Sequence, residues 1–442
     1  MEFVSVQKKI FKGIALGALT AGLLLVPLGC GKVMPPRDVK VGGVAYAVST
    51  TDFVVTLSDF DDYEGLKQLE HLKTLDISAL DLTTEQYDAI AAKVDDDVSI
   101  LWNVPVGEKK FLNTETELTL SPDELTALQN NRKYFRRIDS VTLDGSCKLT
   151  EDLAAAAQDL RSDFPDLSLT LQSKVYGVKA DSSMDKLTLD NIAISDLNQL
   201  KLAMQVFPNI KTYEMCYCGL SNDVMGGLRE EYPDVNFVWV VVCGRFQVRT
   251  DAQVFSTWEY EKAPQYNEKT FSPIFKYCTE LRALDVGHHS IADLSELTNL
   301  KKLQVLDLTD NLVTDISPLA ELEDLRYLVF PYNKVKDLSP LENNKNLEDL
   351  CIINNNRIKN ASVVTKLPNL KRLYISYCKI SDEEMEVIVN GIPKDCELQN
   401  KYYDLNVGSG WRWNERVTAL REAFGHWKKV KEFHSWDDVV YY

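Results

Sequence analysis

Short apolar runs recur along this chain at a fixed pitch. From Leu281 onward one pattern appears five times: LRALDVGHHSI, then LQVLDLTDNLV from Leu303, LRYLVFPYNKV from Leu325, LEDLCIINNNRI from Leu347 and LKRLYISYCKI from Leu370. The starts lie 22, 22, 22 and 23 residues apart, the last interval carrying one inserted residue near Asn355. Each copy reads L-x-x-L-x-L-x-x-N/C-x-I, with strand apolars Leu284/Val286, Leu306/Leu308, Leu328/Phe330, Leu350/Ile352 and Leu373/Ile375. One such unit cannot bury its own apolar face, whereas stacked units bury a continuous core on a parallel sheet. The next column, His289, Asn311, Asn333, Asn356 and Cys378, is expected to turn inward and satisfy backbone groups where each strand bends into its loop. Pro318 and Pro340, in DISPL and DLSPL, suit a short 3₁₀ return rather than a long helix.

The region before Leu281 repeats more loosely. Asp97-Val98-Ser99-Ile100, Asp166-Leu167-Ser168-Leu169 and Asp234-Val235-Asn236-Phe237 each open an apolar strand that leads to a glycine: Gly107, Gly177 and Gly244, with Gly43 one module earlier. A second strand follows each glycine, then an amphipathic helix such as SPDELTALQNNRKYF, where Ser121 can cap and Pro122 suits the first turn. Leucine-rich strands begin at Leu72, Ile138, Ile210 and Leu281. Residues 43–280 therefore read as four degenerate modules of about 70 residues with a hairpin near each glycine. Residues 281–390 hold the regular repeats. Residues 391–442 are rich in aromatics, including Trp411, Trp413, Phe424, Trp427 and Trp436, and are expected to cap the array, since an open end exposes core leucines.

The regular repeats resemble the leucine-rich repeat family, in the 22-residue class of internalin-type bacterial surface proteins. The resemblance implies an α/β solenoid: a leucine-rich repeat array with parallel strands, here preceded by the degenerate strand–helix modules. It also implies binding of a protein or peptide on the concave sheet. Strand side chains alternate, so the residues between the leucines face outward there. That column is Asp285, Asp307, Val329, Cys351 and Tyr374; two places on lie Gly287, Thr309, Pro331, Ile353 and Ser376. Flanking positions add His288, Asp310, Tyr327, Tyr332, Arg372 and Tyr377. The expected partner patch is Tyr327, Val329, Tyr332, Tyr374 and Tyr377, with Asp285, Asp307 and Asp310 favouring a basic edge on the partner, because aromatic anchors dominate protein interfaces.

The N-terminus carries its own signal. Lys8, Lys9 and Lys12 precede an uncharged apolar run from Ile14 to Gly29, as in an export signal. The run ends at Gly29-Cys30, which resembles a bacterial lipoprotein lipobox, although Pro27 stands where that family prefers Leu. The expectation is a signal peptide at 1–29, a lipid-bearing Cys30, a tether at 30–42, and a protein held at the outer face of the membrane by lipid alone. A net charge of −17 argues against nucleic acid as partner, since phosphate contacts need clustered Lys and Arg. Of nine cysteines, most fall at core or ladder positions and read as small buried hydrophobes.

Catalytic signatures are missing. The chain has no G-x-S-x-G, H-E-x-x-H or Walker A motif. His288 and His289 are adjacent, so they point to opposite sides and cannot serve one ligand. Cys216 and Cys218 form an isolated C-x-C without a second pair, and Asp59, Asp61 and Asp62 lack the spacing of a calcium loop. No cofactor, metal or enzymatic activity is expected. The alternatives to a protein-binding role are an envelope scaffold acting through lateral surfaces and a glycan-capture protein using the aromatic C-terminal segment.

Overall fold

The computed structural model describes residues 38–41, 44–55, 63–257 and 265–400. The expectations for Cys30, Gly43, Asp59, Asp61, Asp62 and the aromatic segment after 400 lie outside these residues. The chain divides into two units, Met1–Val104 and Pro105–Tyr442.

In the first unit, strands Asp38–Val41 and Val44–Ala47 form an antiparallel hairpin. Three parallel strands follow, Asp52–Val54, Thr74–Asp76 and Ser99–Leu101. A 3₁₀ turn at Glu64–Gln68 and a helix at Thr84–Ala91 join them. Thr83 starts the helix with a capping box: its hydroxyl accepts the Gln86 N–H at 3.3 Å while Gln86 Oε1 accepts the Thr83 N–H at 2.8 Å. Leu75, Ile77 and Trp102 are fully buried, and Tyr87 stacks on Trp102 at 4.1 Å between ring centroids. The hairpin presses hard on the 3₁₀ turn, since a Cβ at Gly65 would sit 2.1 Å from the Lys40 carbonyl oxygen.

The second unit builds three successive parallel sheets. Glu117–Leu120, Ser140–Cys147 and Ser168–Val175 form the first, extended by Val178–Asp181 through an antiparallel turn at Gly177. Lys186–Thr188, Thr212–Glu214 and Asn236–Val238 form the second. A hairpin of Val240–Cys243 and Phe246–Arg249 turns at Gly244. Gly107, Gly177 and Gly244 all have φ between +58° and +88°, the left-handed region that disfavours a Cβ.

The third sheet has seven parallel strands: Val254–Ser256, Ala283–Asp285, Val305–Asp307, Tyr327–Val329, Asp349–Cys351, Arg372–Tyr374 and Glu397–Gln399. Strand pairing is in register throughout, so Leu284, Leu306, Leu328, Leu350 and Leu373 stand side by side, each with no exposed surface. This is the leucine-rich repeat solenoid, and repeat length decides its return segments. Where successive strands begin 22 residues apart, only five-residue 3₁₀ turns fit: Ser295–Asn299, Ser317–Glu321 and Ser339–Asn343. The longer first and last intervals hold α-helices, Glu268–Tyr277 and Asp382–Gly391. Asp315 and Asp337 start their 3₁₀ turns by accepting the N–H of Ser317 and Ser339, each at 2.8 Å.

Two local expectations change. Helix Glu124–Asn131 begins later than SPDEL suggests and has no side-chain cap; instead Glu124 folds back to accept the Ser121 N–H at 2.7 Å. In the asparagine column the ladder residue of the fourth repeat is Asn355, not Asn356. Asn355 has no exposed surface and its Nδ2 donates to Phe330 O at 2.9 Å and Ile352 O at 3.0 Å, whereas Asn356 is exposed. The inserted residue is therefore absorbed after the ladder position.

Candidate functional site

The ladder fixes the sheet on which any site must be built. Asn311 and Asn333 each bridge two repeats: Asn333 Nδ2 donates to Leu308 O at 2.8 Å and Phe330 O at 3.1 Å, while Oδ1 accepts the Val313 N–H at 3.0 Å. Cysteine fills the same place with a weaker donor, Cys378 Sγ to Ile352 O at 3.3 Å and Cys218 Sγ to Leu189 O at 3.2 Å. His289 opens the column. The residue just before each ladder position carries a positive φ: His288, Asp310, Tyr332, Asn354 and Tyr377 lie between 52° and 62°. Non-glycine residues are uncommon there. The conformation keeps the parallel ladder running, because the N–H groups of His288, Asp310, Tyr332 and Asn354 donate to the next repeat at 2.6–3.0 Å.

On the sheet face opposite the leucines, register aligns three columns. The first is Ala283, Val305, Tyr327, Asp349 and Arg372; the second is Asp285, Asp307, Val329, Cys351 and Tyr374; the third is Gly287, Thr309, Pro331, Ile353 and Ser376. Ala283, Val305, Tyr327, Val329, Cys351, Ile353 and Tyr374 form one apolar cluster, with Val254 and Tyr377 against it. Acids occupy the end nearer the chain's N-terminus. Asp285 accepts Ser256 Oγ at 2.8 Å and the Gly287 N–H at 3.1 Å, and Asp307 accepts the Thr309 N–H at 2.8 Å. Asp349 is paired with Arg372 in a two-pronged contact.

The sequence places these residues together but errs on their exposure. Tyr327 is 7%, Val329 1%, Tyr374 5% and Asp285 5% exposed. Tyr332, Tyr377 and Asp307 are half-buried, and only Asp310, whose Oδ2 meets His288 Nδ1 at 3.2 Å, is exposed. The expected open aromatic patch is thus a covered one. Neighbouring strands about 4.8 Å away shield the flanks of a side chain but not its tip, so a tyrosine standing on an open sheet stays wet. Burial also pushes the Tyr327 hydroxyl well above the usual tyrosine range, keeping it neutral. Among the described residues, no helix packs extensively on these five strands.

Two contributors escaped the repeat pattern. Asp349 holds the same column position as Tyr327, which is the signal that identifies it. Asn344 replaces the leucine seen at 300, 322 and 367, and its Nδ2 donates to Leu319 O at 2.9 Å and Leu322 O at 2.8 Å.

Elsewhere, buried groups read as structure. Burial raises the thiols of Cys216, Cys243 and Cys278 to about 12 and that of Cys378 to about 11. Glu214 is lowered to about 2 by hydrogen bonds from Thr188 and Arg249. Among the described residues no group of three or more His, Cys, Asp or Glu could hold a metal ion, and no helix is long and apolar enough to cross a membrane.

Comparison with known proteins agrees on the repeat. The description "Leucine Rich repeats (2 copies)" matches residues 277–321 and "Leucine Rich repeat" matches 366–389. No curated protein matches the chain. Among solved structures, internalin C2 from Listeria monocytogenes is 22% identical over 50% of this chain and 81% of its own, with a TM-score of 0.29. A second Listeria monocytogenes internalin is 17% identical, covering 82% of this chain and 86% of its own, with a TM-score of 0.25. A leucine-rich repeat protein from Leptospira interrogans is 17% identical, covering 77% and 93%, also with a TM-score of 0.25. Superpositions this loose say nothing about partner or site.

Proposed function

We propose that this chain is an exported, lipid-anchored leucine-rich repeat protein that binds a segment of protein on the outer face of its seven-stranded sheet, at the cell surface. The observation that carries this reading is the covered apolar cluster on that face, with Asp285, Asp307 and Asp310 at one end. Proteins rarely place Tyr, Val, Ile and Cys together on the outside of a sheet without something to cover them. The chemistry suits an aromatic or aliphatic anchor flanked by Lys or Arg, with the apolar centre supplying affinity and the acids orientation. Cys30, following the apolar run that ends at Gly29, is the anchoring residue, and acylation there leaves the repeats outside the membrane.

Selection of a random displayed peptide library on the purified mature protein tests the binding role. The expected result is enrichment of aromatic peptides carrying Lys or Arg, whose affinity falls tenfold or more for Tyr332→Ala combined with Asp310→Lys. No enrichment, or peptides indifferent to those changes, contradicts it.

A further inference from the structure

Two arginines hold equivalent places in the second unit, and their surroundings differ. Leu160-Arg161-x-x-Phe164-Pro165-Asp166-Leu167 and Leu228-Arg229-x-x-Tyr232-Pro233-Asp234-Val235 share one pattern, 68 residues apart. Each arginine lies in a helix, Glu151–Asp163 or Asn222–Glu231, and reaches past an interruption of the strand ladder to the end of the next helix. Arg161 donates to Gln205 O at 3.2 Å and Val206 O at 2.9 Å, at the end of Asn198–Val206. Arg229 donates to Tyr277 O at 2.9 Å, at the end of Glu268–Tyr277.

The site at Arg229 is closed. A second guanidinium N–H donates to Phe237 O at 3.0 Å, and the Trp239 ring covers the guanidinium with its centroid 4.5 Å away. In the corresponding places beside Arg161 stand Leu169 and Leu171. Among the described residues no hydrogen bond joins Arg161 to Leu169, and a cavity of about 480 Å³ opens there. Arg161, Leu169, Val206 and Ser183 line it, with Pro165 and Leu167 as an apolar wall.

The polar groups at this cavity select a ligand chemistry. The two helix contacts leave three of the five guanidinium N–H groups, and among the described residues Arg161 has no carboxylate partner. The strand edge adds a donor and an acceptor. The Ser168 N–H donates to Asp139 O at 2.9 Å, so alternation along the parallel strand turns the N–H and C=O of Leu169 toward the interruption. Next along, Ser182 accepts the Leu171 N–H at 3.0 Å and donates its own N–H to Leu171 O at 3.1 Å; among the described residues nothing does this for Leu169. A guanidinium fork matches a carboxylate, and a free strand-edge N–H and C=O match a peptide unit.

We propose that this cavity binds the carboxyl end of a short peptide. The carboxylate sits on Arg161, one backbone N–H and one C=O of the peptide pair with Leu169, and the terminal side chain rests against Pro165 and Leu167. The site is separate from the seven-stranded sheet and independent of what binds there.

Titration calorimetry of the purified protein with N-acetyl dipeptides covering every C-terminal residue tests this. A dipeptide with an apolar terminal residue is expected to bind, about tenfold or more tighter as the free acid than as the C-terminal amide. Arg161→Gln, which can still donate to Val206 O, is expected to weaken binding of the acid tenfold or more. So is Ser183→Trp, which fills the cavity from an exposed position and leaves the unfolding midpoint unchanged. No dipeptide bound, equal affinity for acid and amide, or full affinity in Ser183→Trp overturns the proposal. If Arg161→Gln does not fold, the acid-to-amide ratio and Ser183→Trp decide it.

Discussion

His289 Nδ1 accepts the backbone N–H of Tyr266 at 3.3 Å, and its Nε2 lies 3.1 Å from Thr257 Oγ1. An acceptor at Nδ1 fixes the neutral tautomer with its proton on Nε2, donated to the threonine. Protonation would place a second N–H against that of Tyr266, and burial with nearby His288 lowers the imidazole to about 4.

Stability should therefore depend on pH through this residue. Between about 6.5 and 4 the unfolded chain binds a proton that the folded chain refuses, so stability present above 6.5 is lost as pH falls through that window. The full loss is about 3 kcal/mol. His289→Asn, which restores the usual ladder residue, should flatten this part of the profile in urea titrations at successive pH values. An identical slope in both proteins would refute the assignment.

The two asparagines at the fourth repeat should behave very differently. Asn355→Ala leaves the Val335 N–H and two buried carbonyls without the amide, at a cost of about 2–3 kcal/mol or more. Asn356→Ala, at an exposed site, should change stability by less than about 0.5 kcal/mol. Equal effects in denaturant unfolding would return the ladder role to Asn356.

Anchoring is read from the sequence alone. Each buried acyl CH₂ contributes about 0.8 kcal/mol, so two or three chains on Cys30 would hold the protein firmly. Cys30→Ala should leave the protein in the aqueous phase after detergent partitioning, or unprocessed. Unchanged partitioning into detergent would reject lipid attachment at this residue.

The period of 22 made the solenoid legible, because Leu284, Leu306, Leu328, Leu350 and Leu373 report burial directly and their register follows from it. The patch residues were also legible as a set, since strand alternation alone sorts Val329 from Leu328. Their exposure was not, because it depends on what covers the sheet and not on the strand. The run Asn354-Asn355-Asn356 offered several ladder candidates, and only the carbonyl positions of Phe330 and Ile352 choose among them. The positive φ of Tyr332 and Tyr377 was hidden because tyrosine, unlike glycine, gives no sign of it.

Whether the sheet face between Asp285 and Tyr374 is closed in the folded protein is most directly measured by alkylation of native thiols. Cys351 stands in the middle of that face and is 3% exposed; Cys278 is fully buried, and Cys396 is half-buried near the end of the array. In the native full-length protein, Cys396 should be modified first, with Cys351 and Cys278 reacting only on unfolding. Modification of Cys351 as fast as Cys396, while Cys278 stays protected, would contradict a covered face.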